Sequence, residues 1–235
     1  MSPPTNAELN KKREENCLQI TTDMKYYRVG QTWIKRSLRP SEWQKEDGYM
    51  PIPLFSLERV LNEGACLRHL ADKTNIPIPK LHACFEDDGA AYLITEYVEG
   101  VAMSWLDEEQ REVVAKELCI HMKALSNLTH HIWGGPSGLV MPPYRIMQYS
   151  DGRPWKMKPR RENNLVFCHN DLSTNNVIVA PRTLKINAII NWEYAGYYPQ
   201  RFESAFFQRL GPSIALKGEV DDTEWLHKIL SEERI

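Results

Sequence analysis

The chain has 235 residues, with 29 Lys and Arg against 31 Asp and Glu, and this near-zero formal net charge of −2 argues against a nucleic-acid-binding protein. Hydrophobic residues make up 42% of the chain and charged residues 26%, proportions that exclude a long disordered or fibrous protein. No apolar run reaches the roughly 18–20 residues that cross a bilayer, and the polar N-terminus has no signal-peptide core. The sequence therefore predicts a cytoplasmic protein without a membrane partner.

The first hundred residues predict a small β-rich unit with one main helix. Aromatic and β-branched residues at 26–35 surround Gly30, a pattern typical of a short β-hairpin. A helix is predicted over residues 56–73, because Ser56 suits an N-cap and apolar residues recur at helical spacing. Two further strands, residues 81–85 and 91–97, are separated by a Glu-Asp-Asp-Gly turn sequence.

The rest of the chain predicts helices and short strands around an irregular segment. Asp107 and Gln110 form a capping-box pattern at the start of an amphipathic helix that runs to Leu128. Residues 133–164 predict loops, and the basic run at 156–161 is either solvated surface or an anchor for an anionic ligand. Short strands are predicted at 165–168, 177–180 and 186–191, followed by partly helical structure over 200–235.

The most informative motif is His169-Asn-Asp-Leu-Ser-Thr-Asn-Asn176, which follows a short apolar strand and precedes a predicted hairpin. Phosphoryl transfer to a hydroxyl needs a carboxylate that accepts or orients the acceptor proton, and Asp171 suits this role. Asn176, five residues later, offers an amide oxygen to Mg²⁺ at the opposite end of the loop. His169 is expected to brace the loop rather than to react.

This loop, together with residues 188–196, resembles the aminoglycoside phosphotransferase-like branch of the protein-kinase-like fold, and in particular its short fungal members. Residues 167–176 match the family's catalytic loop and residues 188–196 its metal-binding strand. The resemblance implies an α+β, bilobal fold, in which an antiparallel β-sheet N-lobe with one main helix precedes a mainly helical C-lobe. The implied division is a flexible N-terminal segment 1–25, an N-lobe over 26–98 and a C-lobe over 99–235.

The resemblance also implies a nucleotide site for ATP. Lys35 is similar to the lysine that contacts the α- and β-phosphates, and Glu63 is the first candidate for its ion-pair partner. Glu58 and Glu46 are the alternatives. Adenine would meet backbone groups of the hinge at Glu96, Tyr97 and Val98.

Two departures from the family pattern bear on activity. The family's metal-binding Asp is replaced by Asn191, which keeps one oxygen ligand but loses the negative charge that Mg²⁺ prefers. Glu193 lies two residues on, and in an extended segment it would project to the same side and partly restore that charge. The implied metal ligands are therefore Asn176, Asn191 and Glu193. In addition, Gly30 is the only glycine before Gly48, so the usual glycine-rich cover over the phosphates is missing.

These features leave three functional hypotheses open. The first is an ATP- and Mg²⁺-dependent phosphotransferase acting on a small-molecule hydroxyl or amine, slowed by Asn191. The second is a degenerate kinase-like protein that binds nucleotide without turnover. The third is an enzyme that reuses the cleft for other chemistry on a secondary metabolite. The acceptor and the oligomeric state stay open, and the 44 residues after Asn191 leave little chain for an acceptor pocket.

Overall fold

The computed structural model describes residues 5, 8, 12–43 and 54–235, with the backbone alone for Gln148. These residues form two lobes, built from three α-helices and eleven short strands within the described ranges. No helix among them is both long and apolar enough to cross a membrane. The helices are α1 (Ser56–Lys73), α2 (Glu108–Ser126) and α3 (Thr223–Glu233).

The N-lobe is a five-stranded antiparallel sheet with the order β1-β2-β3-β5-β4. Its first strand lies inside residues 1–25, which the sequence assigned to a flexible segment, so the sheet begins earlier than predicted. Residue Val29 pairs with Thr32, which leaves Gly30 and Gln31 as a two-residue turn. The strands are β1 (Cys17–Ile20), β2 (Met24–Val29), β3 (Thr32–Ser37), β4 (Leu81–Asp87) and β5 (Ala90–Glu96).

Helix α1 packs against β4 and β5 and carries part of the candidate site into the cleft between the lobes. Its N-cap is Phe55 in the left-handed region rather than the predicted Ser56, which becomes the first helical residue. A Cβ at Gly64 would lie 2.4 Å from the Cys84 sulfur, so glycine is what allows the helix to approach β4 this closely.

Two three-stranded sheets in the C-lobe position the loop at 169–176. One has the order β11-β8-β7 and the other β10-β9-β6. Because β8 ends at Cys168 and β9 begins at Val177, the loop runs from one sheet to the other and is fixed at both ends. The remaining strands are β6 (Val101–Ala102), β7 (Thr129–His130), β8 (Leu165–Cys168), β9 (Val177–Val179), β10 (Ile186–Ile189) and β11 (Gly196–Tyr198).

Glu203, which follows β11 in the chain, bonds to the first residues of this loop. Its carboxylate accepts the backbone N–H of His169 and, at 3.4 Å, that of Asn170. Burial and the nearby charge of Asp171 raise the pKa of Glu203 to about 7, against the opposing effect of these N–H donors and of Arg145. Glu203 is therefore part of the support of this loop.

The raised pKa makes stability depend on pH. The unfolded chain releases the Glu203 proton more readily than the folded chain, so this group's contribution falls as pH rises from about 4.5 to about 7. The free energy of unfolding of the wild type, relative to that of Glu203→Gln, should decrease by roughly 1.4 kcal/mol per pH unit in this window. Urea unfolding of both proteins at pH 5, 6, 7 and 8 measures the difference. A difference that does not change with pH contradicts the assignment.

Candidate active site

A cleft of about 220 Å³ lies between the lobes, and it contains every residue of the predicted nucleotide site. Asn191 also lines it, whereas His169, Asp171, Asn176 and Glu193 lie outside its lining. Trp33, on β3, also lines the cleft. The predicted nucleotide residues in the lining are Lys35, Glu63, Glu96, Tyr97 and Val98.

Lys35, on β3, is buried between two carboxylates. Its Nζ lies 2.8 Å from Glu63 Oε2 and 2.7 Å from Glu193 Oε2. Burial lowers the pKa of Lys35, but the charges of Glu193 and Glu63 outweigh it, so the pKa is raised well above its ordinary value. Within the described ranges these two are its ion-pair partners. Glu58 is not one of them, and Glu46 lies outside those ranges.

The hinge leaves backbone groups available to a ligand. The N–H of Tyr97 donates to the carbonyl of Gln31 at 2.8 Å, but in the described part of the chain nothing bonds to the N–H or C=O of Val98. The ring of Tyr97 lies 6.2 Å from that of Trp33 and 3.6 Å below the guanidinium of Arg28. Val98 can therefore offer one donor and one acceptor to a planar base.

The loop places Asp171 and Asn176 in direct contact. The side-chain amide of Asn176 donates to the Asp171 carbonyl at 2.6 Å and to its carboxylate Oδ2 at 3.1 Å. Burial raises the pKa of Asp171 to about 7, and the charge of Glu193 adds to this effect. A carboxylate with a pKa near neutrality suits proton acceptance at physiological pH.

His169 is a positioning residue rather than a group open to substrate. Its ring is fully buried, with Nε2 3.0 Å from the Ile190 carbonyl, while Nδ1 lies 3.3 Å from the Asp171 N–H. Burial lowers the pKa of His169 to about 4, so the ring is neutral near pH 7. A neutral ring that donates from Nε2 and accepts at Nδ1 satisfies both contacts. It thereby ties the loop to the segment after β10.

The three predicted metal ligands do not converge on one point. Asn191 is in the left-handed region, with φ 62°, and its side-chain amide donates to Asn176 Oδ1 at 2.7 Å. Residues 192–194 then form a 3-10 turn. The prediction that an extended segment places Glu193 on the same side as Asn191 is therefore wrong. Glu193 points instead at Lys35. Its pKa is raised by burial, but Lys35 and Arg59 outweigh this effect and hold it below the ordinary value.

This arrangement does not fit a divalent cation as it stands. The amide oxygen of Asn176 already accepts a hydrogen bond, and the carboxylate of Glu193 is paired with cations. Within residues 12–43 and 54–235, no group of three or more His, Cys, Asp or Glu side chains could hold a metal ion. Mg²⁺ favours carboxylate oxygens in octahedral geometry, and of the three predicted ligands only Glu193 has a carboxylate.

Arg59, on α1, is a site residue that the sequence reasoning missed. Its Nη1 donates to the Tyr194 hydroxyl at 2.7 Å and lies 3.4 Å from Glu193 Oε1, and its Nη2 pairs with Asp23. The spacing of four residues from Arg59 to Glu63 was the available signal, because it places both side chains on one helix face.

Part of the chain matches a known family of kinases. Residues 153–209, which include the loop at 169–176 and Asn191, match the model of the choline/ethanolamine kinase family. This span is less than half of the chain. Comparison with curated proteins gave no significant match.

Solved structures of aminoglycoside phosphotransferases resemble the chain over most of its length. Aminoglycoside phosphotransferase APH(4)-Ia gives a TM-score of 0.55 at 16% identity and covers 85% of this chain and 75% of its own. Aminoglycoside-3′-phosphotransferase of type VIII gives 0.53 at 19% identity, covering 83% and 77%. The streptomycin–ATP–APH(2″)-IIa ternary complex gives 0.53 at 14% identity, covering 86% and 75%.

Sequence identities of 14–19% are evidence for a shared fold and not for a shared reaction. The likeness covers 85% and 83% of this chain for the first two of these structures, so it includes parts of both lobes. The chain therefore has the α+β, bilobal protein-kinase-like fold seen in the aminoglycoside phosphotransferases.

Proposed function

We propose that the chain is an ATP-dependent phosphotransferase that acts on a hydroxyl or amine of a small molecule. The observation that carries this proposal is the buried Lys35–Glu63 ion pair, 2.8 Å long, in a cleft that the hinge also lines. A neighbouring structure is a complex with ATP and streptomycin, which supports a nucleotide and a small-molecule acceptor for this fold.

In this reaction the chain's own residues bind and orient the reactants. Lys35 neutralises charge on the α- and β-phosphates, and the N–H and C=O of Val98 bond to adenine. Asp171 accepts or orients the proton of the acceptor group. His169 and Glu203 keep the loop in place, so that Asp171 is already oriented when the acceptor arrives.

Mg²⁺ belongs to this proposal as the ion that neutralises phosphate charge when bound. Its proposed donors are the oxygens of Asn176, Asn191 and Glu193. In the observed arrangement the Asn176 oxygen accepts a hydrogen bond from Asn191 and the Glu193 carboxylate is paired with Lys35, so no step of the proposal is derived through the ion.

A second candidate function is nucleotide binding without turnover. The hydrogen bond from Asn191 to Asn176 favours it, since it occupies an oxygen that the metal would need. The two candidates differ in whether ADP is ever released in an acceptor-dependent way. Turnover of a metabolite without ATP would support neither, and would point to other chemistry in the same cleft.

Replacement of Asp171 tests its proposed role. Asp171→Asn keeps the size and an acceptor oxygen for Asn176 but cannot take up a proton, so acceptor-dependent ADP release should fall about 100-fold or more. A coupled ADP assay with aminoglycosides, choline, ethanolamine and other small alcohols and amines measures the rate. Asp151→Asn, on the exposed surface, is the control and should leave it unchanged. An undiminished rate in Asp171→Asn would exclude Asp171 from the chemistry.

Asn191→Asp separates the two candidates. If the protein is a phosphotransferase slowed by this position, a carboxylate there restores about 3 kcal/mol of charge stabilisation and raises ADP release up to about 100-fold. If the protein only binds nucleotide, neither form releases ADP. Asn164→Asp adds the same charge at an exposed position and should have no effect. A rate that stays measurable but unchanged in Asn191→Asp contradicts the assigned metal role.

A further inference from the structure

Five ionisable side chains, four of them buried or nearly buried and one partly exposed, lie together beside the nucleotide cleft. We name them the cleft charge cluster. They come from three separate parts of the fold, namely the N-lobe sheet region, helix α1 and the turn after β10. Its members are Asp23, Lys35, Arg59, Glu63 and Glu193.

Glu193 holds the central position in the cluster. One carboxylate oxygen bonds to Lys35 at 2.7 Å, and the other lies 3.4 Å from Arg59. Lys35 lines the cleft and is only 3% exposed. Its Nζ contacts the carboxylates of both Glu63 and Glu193. An ammonium has three donors, and Glu63 and Glu193 use two of them.

The net charge of the cluster is unfavourable for the binding of an added anion. Three carboxylates face two cations, so the net charge is −1 before any ligand is present. Buried charges interact strongly and are costly when they are unpaired. A nucleotide phosphate that approached Lys35 would therefore meet a cation whose charge Glu63 and Glu193 already neutralise.

We infer that Glu193 is an internal substitute for phosphate: its carboxylate fills the anion position at Lys35 that a phosphate of the nucleotide takes. Arg59 is the residue that retains Glu193 once the phosphate displaces it, because its guanidinium is already beside the second oxygen and is pre-organised by Tyr194. This inference rests on the proposed function for its ligand, a nucleoside di- or triphosphate. It assigns Arg59 and Glu193 to the control of nucleotide affinity.

Anion binding without metal tests the inference. The probes are ADP and inorganic tripolyphosphate, titrated calorimetrically in the presence of EDTA. Wild type should bind both weakly, and Glu193→Gln, which frees Lys35 from one carboxylate, should bind both at least 10-fold more tightly. Glu99→Gln makes the same change in net charge at an exposed residue paired with Arg28, and should stay within about twofold of wild type.

Three outcomes overturn the inference. The first is micromolar binding of metal-free tripolyphosphate by wild type, which needs no variant and shows that the anion position is open. The second is equal affinity in wild type and Glu193→Gln. The third is tighter binding in Glu99→Gln as well, which would assign the effect to net charge.

If Glu193→Gln does not fold, a second variant tests the inference. Glu193→Asp keeps the charge but shortens the side chain, so it should give a smaller gain in affinity. The absence of any gain overturns the inference.

The same titrations separate this inference from the proposed function. Unchanged affinity in Glu193→Gln, with nucleotide still bound, overturns the inference and leaves phosphotransfer standing. Tripolyphosphate binding that tightens in Glu193→Gln while ADP binds to neither protein supports the anion position but contradicts an ATP-dependent reaction. Binding of neither probe to either protein overturns both.

Discussion

The double ion pair of Lys35 is the constraint on which the rest of the site depends. It joins β3 to helix α1 through Glu63 and to the turn after β10 through Glu193. Because an unpaired charge at this depth is costly, the three elements can keep Lys35 buried only in a narrow range of relative positions. Glu63 adds a second link, since its other oxygen accepts the N–H of Trp192 at 3.2 Å. The spacing of the two lobes follows from these contacts.

A second set of contacts fixes the catalytic loop from the C-lobe side. His169 reaches the carbonyl of Ile190, Glu203 caps the first N–H groups, and Asn176 closes the loop onto Asp171. The loop is therefore held in place by hydrogen bonds to groups of the chain itself, and one of them, from Asn176, reaches the Asp171 carboxylate directly.

Local sequence patterns predicted the helices and strands. The arrangement of side chains in the candidate active site depends on contacts between residues far apart in the chain. The extent of α1 follows from apolar periodicity, although its N-cap is Phe55 rather than the predicted Ser56, and the capping box of α2 follows from the local sequence. The Lys35–Glu63 contact followed from the family resemblance. The role of Glu203 depends on a partner 34 residues away, and no local pattern signals it. The partner of Arg59 is 134 residues away, and the helical spacing from Arg59 to Glu63 was the one local signal for its role. The direction of Glu193 was mispredicted because a left-handed residue, Asn191, precedes a turn instead of continuing a strand.

Asn191 and Glu193 form one consistent arrangement. A carboxylate at position 191 could not donate to Asn176 Oδ1, as the Asn191 amide does. In the protein without a bound cation this hydrogen bond would therefore be lost. A charge there would also add to the surplus negative charge that the buried carboxylates create around Lys35 when no cation offsets it. The amide at 191 thus keeps the loop bonded and limits the repulsion around Glu193, which in turn remains on Lys35. The amide at position 191 and the position of Glu193 beside Lys35 therefore both limit the negative charge around the loop.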